Sequence, residues 1–150
     1  MNRPPDQFVR VQEDRLLAFA QSCFQAAGLP PDHAAVISRL LVNSDLRGVR
    51  SHGTRCVNWY CSAFEKGQLN PAPQVRLLSE TPAVATLSGD GTLGYLPMVE
   101  AARVAVDKAT RTGLGMVTVR HIGHYGSAGH YARLCMEAGC IGFSVQGHVN

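Results

Sequence analysis

Asn70-Pro71-Ala72-Pro73 is the stretch on which the fold turns. Two prolines in four residues fix φ near −65° and remove two backbone donors, so neither a helix nor an inner strand can run through it. Before it, apolar residues recur at helical spacing; after it, the period changes to that of short strands alternating with helices. This predicts a helical N-terminal segment over 1–70 and an α/β segment over 71–150. The fold class is α/β (mixed α+β).

Upstream, Gln12 to Ala27 reads as a helix with Leu17, Ala20 and Phe24 on one face, ended by Gly28 and Pro30. Pro31-Asp32 opens a second helix, suited to a first-turn proline, and Ile37, Leu40, Leu41 and Ser44 form its stripe up to Gly48. His33 reads as a surface residue of its first turn. A third helix is expected from Arg55 or Val57 to Lys66, with Gly67 beyond it. Downstream, Val75–Leu78 and Ala83–Leu87 read as strands, paired as a hairpin around Glu80-Thr81-Pro82. Pro97–Thr112 is a predicted helix, Gly115–Val119 a strand, Ser127–Glu137 a helix and Ile141–Val145 another strand. The chain stops five residues after Val145, where a strand of an α/β fold would feed a functional loop. It is therefore expected to be a fragment of a longer protein.

Composition narrows the function classes. Hydrophobic residues make up 45% and charged residues 17%, which fits a globular chain. The net charge of +3 is spread out, without a Lys/Arg run or aromatic ladder, so nucleic acid is not an expected partner. No apolar run approaches the length of a membrane span, and the polar start of the chain does not resemble a signal peptide. The five cysteines include no C-x-x-C pair and are read as reduced, which suggests a cytoplasmic location.

One motif invites a nucleotide. Gly89 to Gly94 matches G-x-G-x-x-G between a strand and a helix. Three features argue against a dinucleotide cradle: Tyr95 and Pro97 delay the helix, the next strand ends in Val119-Arg120-His121 without an acidic residue for the ribose, and Ser88–Gly91 reads as an ordinary glycine turn. Asp90 could still line a site.

The chemistry-bearing residues fall in two clusters. Asp45 to Arg55 packs Ser51, His52, Gly53 and Arg47, Arg50 and Arg55 into the junction between two helices. An imidazole moves protons near neutral pH and a guanidinium grips a carboxylate with paired hydrogen bonds, which suits a small organic acid. Arg120 to Ser127 supplies His121 and His124, with His124 between Gly123 and Gly126 at the mouth of a helix. His130, on that helix, reads as structural. A metal site built from His121, His124 and His148 is a rival; the histidines share no helical face and H-E-x-x-H is absent, so no metal ligands are assigned.

Taken in order, Leu46-Arg47-Gly48, Ser51-His52-Gly53, Gly67-Gln68-Leu69-Asn70-Pro71, Asp90-Gly91-x-x-Gly94 and Gly123-His124-Tyr125-Gly126-x-Ala128-Gly129-x-Tyr131 resemble the malate/L-lactate/sulfolactate dehydrogenase family, which includes ureidoglycolate dehydrogenases. The resemblance covers about 16–145. It implies a non-Rossmann fold, NAD or NADP as cofactor, interconversion of 2-hydroxy and 2-keto acids, and a homodimer. It places the proton-transfer histidine at His52, His124 or both, and a substrate-binding serine at Ser51. The family's carboxylate-binding arginine usually comes four residues after the S-H-G histidine; Cys56 stands there, and Arg55 one place earlier, or alternatively Arg50, is expected to take the role. The segment that ends the last strand, Gln146-Gly147-His148, makes His148 a candidate cofactor contact. In this reading the acid lies between the two histidine loops. Family members run to more than twice this length, so the activity is expected of a longer enzyme; the alternatives are a catalytically incomplete fragment or a dimerising remnant.

Overall fold

The structure is a computed structural model that describes residues 6–147. It forms two compact units, 1–72 and 73–150. The first holds three helices: α1 (Glu13–Ala26), α2 (Pro31–Leu46) and α3 (Val57–Glu65). Helix α1 packs against α2 and α3, and Ala20, Phe24, Ala34, Ile37, Leu41, Tyr60 and Phe64 are buried. The positive φ of Gly48 (74°) and Gly67 (67°) turns the chain out of α2 and α3, a backbone state that glycine enters without a Cβ penalty. His33 is half-buried rather than on the surface: its Nε2 lies 3.9 Å from Asp32 and its Nδ1 3.5 Å from the Pro71 carbonyl.

The second unit is a three-stranded sheet in the order β1-β2-β3, with β1 at Arg76–Glu80, β2 at Val84–Thr92 and β3 at Met116–Ile122. Strands β1 and β2 are antiparallel, as the hairpin reading expects; β2 and β3 are parallel, joined by α4 (Tyr95–Thr112). Ala85 and Leu87 on β2 are buried, and α4 packs on β2, β3 and α5 (Gly129–Glu137). Lys108 on α4 is only 2% exposed. Its ammonium reaches the Glu80 carboxylate at 2.9 Å and the Thr81 carbonyl at 2.7 Å, so the buried charge is paired and tethers the β1–β2 turn to the helix.

Three local expectations change. Strand β2 runs on to Thr92, so the first two glycines of the stretch lie inside a strand: between the pairs Ser88–Arg120 and Thr92–Ile122, β2 carries a bulge of Gly89, Asp90 and Gly91. Helix α4 begins at Tyr95, directly after Gly94, so the helix is not delayed. Ile141–Val145 is not a strand. Its apolar residues stand out from the surface, with Ile141, Phe143 and Val145 all more than 60% exposed, and no neighbouring strand takes its backbone bonds among the described residues. No helix among the described residues is long and apolar enough to cross a membrane.

Candidate functional site

In the first unit, the Ser51–His52 loop is built on the end of α2. The Gly48 N–H donates to the Asp45 carbonyl and the Val49 N–H to that of Ser44 at 2.8 Å, which closes the helix. Two single 3₁₀ turns follow, Arg50–His52 and Thr54–Cys56. Ser51 Oγ lies 2.8 Å from His52 Nδ1. The Thr54 N–H and hydroxyl both donate to Asp45 Oδ2, at 2.9 and 2.5 Å, and the Cys56 thiol reaches back toward the Ser51 carbonyl at 3.5 Å. Arg55 is exposed and Arg50 half-buried; among the described residues neither is held in an ion pair. This loop can offer a guanidinium to a carboxylate beside an imidazole oriented by a hydroxyl.

In the second unit, His124 sits past the carboxyl ends of parallel β2 and β3, where α/β sheets place their functional loops. The Gly123 N–H donates to the Thr92 carbonyl at 2.7 Å and the Gly94 N–H to the His124 carbonyl at 2.9 Å, pinning the loop to both neighbouring elements. The Gly126 N–H lies 3.3 Å from His124 Nδ1. A peptide N–H can only donate, so Nδ1 is the acceptor and the neutral ring carries its proton on Nε2. Beneath it, Tyr125 stacks on Tyr131 with ring centroids 5.3 Å apart, and the Tyr131 hydroxyl donates to the Tyr125 carbonyl. Gly126 has φ 76°, and a Cβ there would meet the Tyr95 hydroxyl at 2.5 Å.

His121 lies on β3 rather than in the loop. It has a positive φ of 56°, and its Nδ1 is 3.2 Å from Ser88 Oγ. His130 is buried in α5, edge-on to Tyr131. His148 lies outside the described residues. Among the described residues no three His, Cys, Asp or Glu side chains gather as metal ligands. Within the glycine stretch Gly91 faces open space, whereas Gly89 and Gly94 are closely packed. A Cβ at Gly89 would overlap Ile122 Cγ2 and meet Pro97 at 2.8 Å, and one at Gly94 would overlap Tyr125 Cβ, so protein atoms already fill the space at both. A cleft of about 370 Å³ between β1–β2 and α4, lined by Leu77, Leu87, Val104 and Lys108 among others, includes none of the histidines.

Burial raises the thiols of Cys56 and Cys135 above their ordinary range. Cys61 is pushed up to about 11, by burial first and then by Cys23 and Glu65. A thiol so shifted stays protonated near neutral pH and is a poor nucleophile. The sequence reading passed over Asp45, Thr54 and Ser88. Asp45 could have been found: an acidic residue in the last turn of a helix opposes the macrodipole and needs a reason to be there. Nothing local marks Ser88, whose partner is 33 residues away.

Residues 11–148 match the family described as malate/L-lactate dehydrogenase. The chain is 35% identical over 140 residues to a malate dehydrogenase of Pyrococcus abyssi, covering 93% of this chain and 39% of that protein. It is 35% identical over 118 residues to an L-sulfolactate dehydrogenase of Methanocaldococcus jannaschii, covering 79% of this chain and 34% of the relative. The solved structure of malate dehydrogenase from Pyrococcus horikoshii superimposes with a TM-score of 0.86 at 36% identity, over 90% of this chain and 39% of that one. The chain thus spans about a third to two-fifths of the length of these relatives. The ordered motifs around Ser51-His52-Gly53 and His124-Tyr125-Gly126, the mixed α/β fold and the match over 11–148 agree: the chain belongs to the malate/L-lactate dehydrogenase family.

Proposed function

We propose that this chain supplies the acid-handling loops of an oxidoreductase that interconverts a small 2-hydroxy acid and its 2-keto acid with NAD or NADP, acting as a homodimer in the cytoplasm. The observation that carries the reading is the family match over residues 11–148. The local geometry supports a division of labour. Arg55 pairs with the substrate carboxylate, and Ser51 orients His52. When Nδ1–H of His52 donates to Ser51 Oγ, its Nε2 becomes the basic atom, so His52 is the group that accepts the hydroxyl proton. His124, whose Nδ1 takes the Gly126 N–H, is the alternative for that same proton-transfer role. The nicotinamide is the redox partner in this reading. No residue among those described is assigned to hold it.

The test combines binding with turnover. L-malate and L-lactate are titrated against the chain while the His52 and His124 imidazole signals are followed by NMR, and turnover is assayed with NAD and NADP. Binding is expected to be lost in Arg55→Ala. Where turnover is measurable, His52→Ala is expected to lower it about 10²–10⁴-fold, the range of a general base. No response of either ring to any 2-hydroxy or 2-keto acid would sink the reading. A second reading rests on a specific observation: the chain spans 39% of its malate dehydrogenase relative and leaves Ile141, Phe143 and Val145 exposed. In that reading it binds the acid but turns it over only together with further polypeptide.

A further inference from the structure

We infer that Asp45 is a positioning residue for His52, and that Gly53 is glycine because the Asp45 carboxylate occupies the space of its side chain. The inference deepens the reading of the His52 loop as the acid-handling site.

The observations are independent of one another. Asp45 lies in the last turn of α2, where a negative charge meets the helix's own negative end, so the position is not chosen for helix stability. Its Oδ2 takes two donors from one residue, the Thr54 N–H at 2.9 Å and the Thr54 hydroxyl at 2.5 Å. Hydrogen bonds to an ionised acceptor are roughly twice as strong as neutral ones. Its Oδ1 lies so close to Gly53 that a Cβ there would overlap both Oδ1 and Cγ of Asp45. Gly53 has φ −98°, which any residue adopts, so the requirement for glycine is one of space and not of backbone freedom.

His52 stands between these anchors. On its N-terminal side, α2 is closed by bonds to the Ser44 and Asp45 carbonyls, and the His52 N–H itself donates to the Val49 carbonyl at 3.0 Å. On its C-terminal side, Gly53 and Thr54 are held against the same Asp45 carboxylate. Single 3₁₀ turns have poor hydrogen-bond geometry and do not persist alone. The carboxylate therefore ties the C-terminal end of the His52 turn to the same helix whose backbone carbonyls hold its N-terminal end, which is what a proton-transfer group needs to hold its angle.

The experiment uses the whole 150-residue chain, ¹⁵N-labelled, as wild type, Asp45→Ala, Asp45→Asn and Thr54→Val. Amide exchange and the His52 ring resonances are read by NMR. Asp45→Ala should speed exchange of the Thr54 amide roughly ten- to a hundredfold and move the His52 ring signals, with Ala20, Phe24 and Ile37 in the same unit unchanged. Asp45→Asn should restore most of both, since its amide oxygen can take the place of Oδ2. Thr54→Val removes only the hydroxyl bond and should give a smaller change of the same kind; it serves as the reading if Asp45→Ala fails to fold. Wild-type exchange and ring signals in Asp45→Ala or, failing that, in Thr54→Val overturn the inference, as does an equal rise across all three helices. If the ring moves as expected while His52→Ala leaves acid binding and turnover intact, the positioning role stands and the dehydrogenase role of His52 falls.

Discussion

Adding one methyl group at Gly53 forces it into the Asp45 carboxylate. Side chain and backbone must both shift, and overpacking of this kind costs about 1–3 kcal/mol. In an Asp45→Ala background the obstacle is gone, so the same Gly53→Ala change should cost only a few tenths of a kcal/mol. A double-mutant cycle by urea denaturation measures the difference, and an interaction energy near 1–2 kcal/mol is expected for groups in direct contact. Additive costs would show that the carboxylate swings aside freely. The same scale limits what the sequence reveals of the two histidine loops. Ser51 and His52 are sequence neighbours, yet the sequence reading gives Ser51 to the substrate, and only the folded turn shows its hydroxyl against the His52 ring. The acceptor state of His124 depends on the Gly126 N–H, which only the folded turn brings to Nδ1.

At the scale of elements, the glycines of the stretch differ in their surroundings, and Gly89 and Gly94 are the crowded ones. The structure assigns them to close packing: Gly89 against Ile122 and Pro97, Gly94 against Tyr125. Gly94→Ala is therefore expected to destabilise the second unit by about 2–3 kcal/mol. Gly91→Ala, in open space at φ 78°, should lose only the roughly 1 kcal/mol of a left-handed alanine. Thermal melts of the two variants test the order, and Gly91→Ala as the more damaging change would contradict the packing account. The helices were readable because their signals are local: the apolar period, Pro31 at the first turn of α2, and Gly48, Gly67 and Gly113 turning the chain out of α2, α3 and α4. The bulge in β2 was not, since Ser88, Thr92 and their partners Arg120 and Ile122 define it together across some thirty residues. Ile141–Val145 carries the alternation of a strand, but a strand exists only with a partner, and pairing is not written in the segment itself.

At the scale of the molecule, the chain divides into two compact units between Ala72 and Pro73. Each unit has its own buried residues, which makes the first testable alone. Residues 1–72 hold three helices around Phe24, Ile37, Leu41, Tyr60 and Phe64, and the Asp45–Thr54 anchor lies wholly inside this piece. A domain of this size buries only about 60% of its unfolded surface and is marginal. Expressed alone, it is expected to show a helical circular dichroism spectrum and to melt cooperatively, at a temperature below that of the whole chain. Asp45→Ala in this piece should loosen the His52 turn while leaving most of the helical signal, because Ala20, Phe24 and Ile37 are untouched by the change. A coil-like spectrum for 1–72 would mean that the three helices cannot hold themselves. The geometry of the His52 loop would then depend on more of the chain than the carboxylate beneath it.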